Sequence, residues 1–359
     1  MHQRVLGRMP MLILCTRPLA VGCCCRQRRA NEDILGIPAI GIDVAKDTPD
    51  VSAFTSGKAL SKQFANSDRG FALLVGWLAQ SKLGQVHACL EATGRYSLGV
   101  ALALHAAGHV VSIVNPAQIR DFTRTKLGRN KSDKVDAGHI REYGSVFRPP
   151  PWRPPSPALR RLCELQTMRA GFVAGRTEWQ NRAASLGGDA AVGALAEATM
   201  AHFTSQIAAV DQAIAATIDQ DDELRGKRDL LLSIDGVGQA LAALVLAELP
   251  APDVLGSSAA AVAYAGLNPR QFQSGTSVNR PTRISRIGNA VLRSGLYMPA
   301  MAALRHNAAV AALAARLRAQ RRLRPKQILI AAMRKLLVIC FGVLKSGRPF
   351  DAALAMPAA

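Results

Sequence analysis

Acidic residues stand at three places in this chain where a phosphate-cutting metal centre would need them. Asp43 lies near the end of the apolar run Ile40-Gly41-Ile42-Asp43-Val44, and Glu91 directly follows the run from Val86 to Leu90. Asp133 and Asp136 are three apart in Lys131-Ser132-Asp133-Lys134-Val135-Asp136, at an apparent helix start, and so project from one helix face. Singly, each has an ordinary explanation. A strand-end Asp forms turns or caps helices, a lone Glu is most often a surface group, and the aspartate pair can cap a helix or pair with Lys131 and Lys134. Together they supply hard oxygen ligands of the kind Mg²⁺ prefers, or Mn²⁺ in its place. Two such ions stabilise the attacking and leaving oxygens of a phosphodiester at once.

The rest of the composition names the substrate class. The 359 residues carry a formal charge of +20. Lys and Arg that neutralise phosphates release condensed counterions, so nucleic acid is the expected partner. The charge is also segregated. From Val254 to Phe350 there is no Asp or Glu, while sixteen Lys and Arg occur in the same 97 residues. A merely solvated face is seldom so one-signed.

Other classes fall away. Of the seven cysteines, Cys15, Cys23, Cys24 and Cys25 crowd the N-terminus, and none of the seven has zinc-ligand spacing. Cys89, Cys163 and Cys340 lie in apolar patterns and read as buried small side chains. That usage fits a reducing cytoplasm. The apolar stretch from Met9 to Cys15 is too short to span a bilayer, and no later segment shows an unbroken apolar run of that length. The first 36 residues read as a disordered extension, and no membrane partner is expected.

These acids need elements to position them. Residues 37–148 alternate strand-like and helix-like patterns, which implies an α/β layer. Strands are expected from Ile37 to Val44, Val51 to Phe54, Val86 to Leu90 and Val110 to Val114, with a turn holding Asp47 and Pro49 between the first two. Helices are expected from Gly70 to Ser81 and from Tyr96 to Ala107. Six prolines between 149 and 157 mark a stiff linker. In residues 158–225, Leu165, Phe172 and Trp179 recur at seven, and Phe203, Ile207, Val210, Ile214 and Thr217 recur at four and three. That pattern predicts a helical hairpin or coiled coil, broken at Gly187-Gly188. From 226 to 355 the chain reads as mainly helical. Its Gly236-Val237-Gly238 turn before a helix resembles helix-hairpin-helix elements that grip a phosphate backbone.

One further segment is a basic loop, Gly266-Leu267-Asn268-Pro269-Arg270-Gln271-Phe272-Gln273-Ser274-Gly275. Serine needs activation to act as a nucleophile, and spacing alone makes Ser274 a loop hydroxyl. The ordered motifs of the chain change that reading. Gly-Ile-Asp-Val-Ala-Lys at 41–46, Glu-Ala-Thr-Gly-Arg-Tyr at 91–96 and Arg-Asn-Lys-Ser-Asp-Lys-Val-Asp-Ala at 129–137 come first. Ala-Gly-Leu-Asn-Pro-Arg-Gln-Phe-Gln-Ser-Gly at 265–275, Arg-Ile-Ser-Arg-Ile-Gly-Asn at 283–289 and Leu-Arg-Ser-Gly-Leu-Tyr-Met-Pro-Ala-Met at 292–301 follow. In these the chain resembles the DEDD-type insertion-sequence transposases, the group that includes the Piv DNA invertases. The likeness runs from about Ile40 to Phe350.

The resemblance implies a RuvC-like domain of RNase H fold at 37–148, a linker at 149–157, a coiled-coil arm at 158–225 and a helical transposase domain at 226–355. It makes Asp43, Glu91, Asp133 and Asp136 the metal-binding tetrad and Ser274 the nucleophile joined to DNA as a phosphoserine. Lys131, Lys134, Arg270, Arg280, Arg283, Arg286 and Arg293 become candidates for nucleic-acid contact. The partners implied are donor and target duplex DNA, a structured guide RNA, and further copies in a dimer or tetramer. The chain departs from the family pattern at Asp235, where proline is common, and at Arg280-Pro281-Thr282, where glycine and lysine are usual. The rival readings are a RuvC-like nuclease or resolvase that uses water, and a non-catalytic binding remnant.

Overall fold

In the computed structural model the described residues are 34, 36–55, 57–92, 94, 96–125, 133–274, 278–320 and 323–355. The chain divides into two compact units at Pro155/Ser156. The extension expected over 1–36 lies outside the described residues except for Ile34 and Gly36. Ile34 is buried, and its carbonyl accepts from Arg148 Nη1 at 3.1 Å.

The first unit is a mixed α/β layer. Its strands are β1 (Ala39–Val44), β2 (Pro49–Thr55), β3 (Lys58–Gln63), β4 (His87–Glu91) and β5 (Val110–Val114). Helices α1 (Asp68–Gln80), α2 (Tyr96–Ala106), α3 (Pro116–Thr125) and α4 (Asp133–Phe147) complete it. The sheet order is β3-β2-β1-β4-β5. β1, β2 and β3 pair antiparallel, whereas β1–β4 and β4–β5 are parallel. The parallel crossovers run through helices, as parallel pairing requires.

Strand alternation gives this sheet two unlike faces. Ile40, Ile42, Val51, Ala53, Ala88, Leu90, Val111 and Ile113 line one face and pack on Phe71, Leu74, Leu78, Val100 and Leu104 of α1 and α2. Ser67 caps α1 by accepting from Gly70 N, and the spacing of Phe71, Leu74 and Leu78 turns one stripe inward. The opposite face carries small and polar residues: Ala39, Gly41, Asp43, Asp50, Ser52, His87, Cys89, Glu91 and Ser112. Helix α4 covers it, with Ile140 and Tyr143 packing beside Cys89 and Val114.

At the end of this face remote from Asp43, a polar cluster secures the chain that follows α4. His87 Nε2 meets Ser112 Oγ at 2.8 Å, and that hydroxyl lies 2.9 Å from the carbonyls of Pro149 and Pro150. Trp152 N bonds Val111 O at 2.7 Å, and the Trp152 ring packs on the apolar core. The start of the proline segment is therefore stitched along β5.

In the second unit, α5 (Pro157–Ala183) and α6 (Ala190–Asp219) pack as a helical hairpin. Arg169 holds Asp211 through two bonds of 2.5 and 3.2 Å, and Gly175 leaves room for the Phe203 ring. Near pairs at 169/211 and 175/203 move in opposite directions along the chain, so the two helices are antiparallel. Ile207, Val210, Ile214 and Thr217 form the buried stripe expected of α6. On α5 the buried positions are Leu162, Cys163 and Gln166, while Leu165, Phe172 and Trp179 are half-buried.

Next come α7 (Asp222–Leu232), α8 (Gln239–Glu248), α9 (Pro252–Leu255), α10 (Ser258–Tyr264), β6 (Pro269–Ser274), β7 (Val278–Ile284), α11 (Ala290–Gly295), α12 (Tyr297–His306), α13 (Ala308–Ala319), α14 (Pro325–Ser346) and α15 (Ala352–Ala355). In the turn before α8, Gly236 adopts φ +92, and a Cβ there would come within 2.9 Å of Ala303 Cα. Asn307 Nδ2 bonds Asp235 O at 3.1 Å, so the turn is held with aspartate at that position.

One sequence expectation is corrected here. Pro269–Ser274 and Val278–Ile284 pair as antiparallel strands where a loop is expected, and the helical region thus contains a two-stranded sheet. Helix α14 is long and apolar enough to cross a membrane, although Arg334 and Lys335 interrupt it. It packs among α7, α10, α12 and α13 with Leu336, Leu337 and Cys340 fully buried. Core-helix burial accounts for its apolar run. Cys89 and Cys163 are buried thiols as well.

The His87 cluster sets a pH dependence of stability. Burial, and then the positive charge of Arg148, lower the His87 pKa from 6.5 to about 4. Its folded value lies below its unfolded value, so its contribution is complete above pH 6.5 and declines as pH falls toward 4. A shift of that size corresponds to about 3 kcal/mol of lost stability across the window. Urea unfolding of wild type from pH 7.5 to 4.5 is expected to show this decline, and His87→Gln is expected to flatten it.

Candidate active site

Asp43 and Glu91 are neighbours because their strands are. The β1–β4 ladder pairs Ile42 with Leu90 in parallel register. One residue further, Asp43 and Glu91 occupy adjoining positions on adjacent strands, about 4.8 Å apart between Cα atoms and on the same sheet face. Both lie at the carboxyl ends of their strands, where parallel sheets open toward ligands.

Helix α4 is laid over them by two glycines. A Cβ on Gly41 would collide with Ala137 O and Arg141 N and lie 2.8 Å from Arg141 Cα. A Cβ on Gly144 would strike Cys89 Sγ and come within 3.8 Å of Ala39 Cβ. Gly144 thus stands over the start of β1, and Ala137 with Arg141 stand over its middle. The helix runs antiparallel to the strand. Going back from Arg141 to Ala137 rises about 6 Å, and going from Gly41 to Asp43 advances about 6.6 Å. The first turn of α4 therefore reaches the Asp43 end of the sheet. Asp136 is half-buried in that turn, and Asp133 opens the helix. The Asp133 and Lys134 side chains and all of Lys131 lie outside the described residues.

Among the described residues no three His, Cys, Asp or Glu side chains stand close enough together to hold a metal ion. Asp43, Glu91 and Asp136 border the same end of the sheet without closing on one point. Their donors are carboxylate oxygens, which is the chemistry a hard divalent ion requires.

Two residues at this end escaped the sequence reading. Asp50 pairs directly with Asp43 across the antiparallel β1–β2 ladder, is 4% exposed, and accepts from Gln63 Nε2 at 2.9 Å. The sequence pattern put the start of β2 at Val51, which left Asp50 in the turn. Alternation with Ser52 and Phe54 was the available signal. Asn66 Nδ2 lies 3.1, 3.2 and 3.2 Å from the carbonyls of Ala45, Lys46 and Tyr96. It ties the loop after Asp43 to the helix start after Glu91.

In the second unit, Ser274 ends β6, paired with Val278 in β7. Nothing of its side chain, or of Arg280 opposite Phe272, falls within the described residues. The base of the hairpin is well defined. Arg286, at φ +56, donates its N–H to Gly266 O at 3.1 Å, and Arg293 Nη1 bonds Ala265 O at 2.9 Å. Burial and then the charge of Arg286 lower the Arg293 pKa. Asn289 is 1% exposed. It donates from Nδ2 to Glu248 Oε2 at 2.5 Å, accepts from Leu292 N at 2.9 Å and bonds Tyr264 O through its own N–H at 2.6 Å. Arg270 and Arg283 are exposed and directly opposed in the ladder.

Comparison with known proteins matches both units. Residues 40–186 match the DEDD-type transposase model of IS110 elements, described as a transposase. Residues 228–315 match the model of the IS116/IS110/IS902 transposase family. The chain is 32% identical over 315 residues to the pilin gene-inverting protein of Moraxella lacunata, covering 87% of this chain and 97% of that protein. The corresponding protein of Moraxella bovis gives the same identity and coverage. The chain belongs to the IS110 transposase family. As a member it is a DNA recombinase or transposase enzyme.

The close approach of α4 to β1 yields a direct test. Gly41→Ala forces the helix backbone off the strand, and overpacking of this kind costs about 1–3 kcal/mol. Thermal denaturation is expected to show a lower midpoint for Gly41→Ala. Gly138→Ala, on the same helix with open space at its Cβ position, is expected to match or exceed wild type.

Proposed function

We propose that this transposase cuts and rejoins DNA through a covalent phosphoserine at Ser274, assisted by the carboxylates Asp43, Glu91, Asp133 and Asp136. The observation that carries the reading is the adjacency of Asp43 and Glu91 beneath the first turn of α4, which opens with Asp133 and holds Asp136. The order β3-β2-β1-β4-β5, with three antiparallel strands followed by two parallel ones, supports an RNase H-like fold for this unit. The α5–α6 hairpin supports a coiled-coil arm.

In this reaction Ser274 Oγ loses its proton and bonds to phosphorus, and a P–O bond to deoxyribose breaks, leaving a DNA hydroxyl. The reverse attack by a second strand's hydroxyl restores the serine and joins the new partner. Bond energy is conserved in the ester, so no high-energy cofactor is consumed. Mg²⁺ or Mn²⁺ held by the four carboxylates would supply compensation for charge developing on phosphate oxygens. The positive end of α4 favours anionic groups at the same place. The basic residues Lys131, Lys134, Arg270, Arg280, Arg283, Arg286 and Arg293 would hold DNA backbones. A guide RNA for donor and target DNA, and assembly as a dimer or tetramer, follow from the family resemblance alone.

The test is a denaturing gel of protein incubated with DNA carrying the element's own junction, with its transcript and Mg²⁺. Wild type is expected to give a protein–DNA adduct that survives denaturation. Ser274→Ala is expected to lose the adduct, and Asp43→Asn to lower strand transfer by at least 10²-fold with DNA binding retained. Metal-dependent nicking that persists in Ser274→Ala would replace this reading with a water-using nuclease.

A further inference from the structure

Helix α1 has an outward face that contact with water alone does not explain. From Gly70 to Gln80 it carries no charged residue, although the solvent side of a surface helix is usually charged. Phe71, Leu74 and Leu78 account for its inward stripe. Leu73, Gly76, Trp77 and Gln80 instead line a cleft of about 520 Å³, together with Lys62 of the edge strand β3 and Phe64 just after it. Leu73 is 61% exposed there. Every residue lining the cleft belongs to the first unit. Exposed apolar surface of this kind marks a place where something binds.

The chemistry of the lining selects the occupant. Phe64 and Trp77 supply an aromatic pair, with ring centroids 5.8 Å apart and planes inclined at 58°. Phe64 is buried in the core, and Trp77 packs against that core while bordering the cleft. Lys62 Nζ lies 5.4 Å from the Phe64 ring centroid, so a cation stands beside the pair. Thr48 and Gln80 add a hydroxyl and an amide, and among the described lining residues none is acidic. A nucleotide uses each of these groups: its base stacks, its edge hydrogen-bonds and its phosphate meets the ammonium. A protein partner fits less well, since ten residues line the cleft against about 20–30 a side in a stable protein interface.

We propose that this cleft holds one unpaired base of a single-stranded DNA segment, stacked on Trp77, with an adjoining phosphate on Lys62. Charge favours a polyanion, because the chain carries +20 and the cleft presents a lysine without a carboxylate. DNA is the polymer a recombinase cuts, and cutting a duplex exposes unpaired nucleotides. The site uses neither Ser274 nor the four carboxylates, so it stands apart from the serine reading.

Gly76 allows the cleft to be filled without disturbing the core. A Cβ there meets nothing within 4 Å, and leucine is a far better helix former than glycine. Gly76→Leu is therefore expected to hold or raise the melting temperature. Stacking one base on an aromatic ring changes affinity by about 5- to 150-fold. Fluorescence anisotropy of the full-length protein with labelled oligothymidine of about 15 nucleotides reads that change. Gly76→Leu is expected to weaken this binding by at least about fivefold, and binding of a blunt duplex of equal length by less than about twofold. An abasic strand of equal length and charge is expected to bind wild type at least about fivefold more weakly than oligothymidine, and to be unaffected by Gly76→Leu. Trp77→Phe keeps a ring and is expected to retain most of the affinity that Trp77→Ala loses. Lys62→Gln is expected to reduce the slope of log affinity against log salt by about 0.7 on the single strand. Ala79→Leu, exposed on the same helix but outside the cleft lining, serves as the control.

A loss of less than about fivefold on oligothymidine in Gly76→Leu overturns the proposal, and so does an equal loss on the abasic strand. Oligouridine that binds about tenfold tighter than oligothymidine, with the same sensitivity to Gly76→Leu, gives the cleft to RNA and overturns the DNA assignment. Light scattering that shows Gly76→Leu losing a subunit makes this face a contact between copies, which also overturns it. The adduct assay keeps the two readings separate. Absence of an adduct sinks the serine and leaves these binding ratios standing, whereas an adduct formed by protein with unchanged ratios sinks the cleft alone.

Discussion

The contact of helix α4 with strand β1 at Gly41 governs the acidic end of the first unit. The two backbones meet where any Cβ would collide with Ala137 and Arg141. Close-packed interiors transmit such displacements rather than absorbing them. With Gly144 seated on Cys89 at the other end, the helix has one axial position over the sheet. Its opening turn, with Asp133 and Asp136, can then overlie only the carboxyl ends of β1 and β4. The geometry of that face depends on what the residue at 41 lacks.

The same contact divides the labour of the sheet. The apolar face, against α1 and α2, provides the core that holds β1 and β4 in register. The α4 face carries Asp43, Asp50, Glu91, His87 and Ser112. Gln63 donates to Asp50 there, and Ser112 meets His87 Nε2, while His87 Nδ1 stays buried without a hydrogen bond. Charge is divided along the chain as well. Carboxylates gather at one end of the first unit's sheet, and the hairpin region of the second has cations only until Asp351.

Much of this was legible in the sequence because apolar alternation and burial coincide in β1, β4 and β5. Strand ends located Asp43 and Glu91, whereas their parallel register is set by the ladder of β1 with β4. β3 was invisible because Lys58, Ala59, Ser61, Lys62 and Gln63 are exposed and no hydrophobic period marks them. Asp50 was hidden by Pro49, which reads as a turn residue yet begins an interior-facing strand. Pro269, Gly275 and Pro281 likewise gave the serine hairpin the composition of a loop. Its ladder is maintained from the base, by Asn289, Gly266 and Gly288, which are distant in sequence from the strands' own pattern.

The antiparallel α5–α6 hairpin restricts how this chain can change length. Each step toward the tip on α5 is answered by a step back on α6, as the Arg169–Asp211 and Gly175–Phe203 meetings show. A deletion in one helix alone would slide every later rung out of match and rotate the stripe of Ile207, Val210 and Ile214 toward water. Lengthening or trimming without loss therefore has to occur in both helices together, in multiples of about seven residues. The tip at Gly187-Gly188 is free of this bookkeeping, since no rung lies beyond it. Natural variation in reach should accordingly come as whole paired heptads, and variation in sequence should collect at the bend.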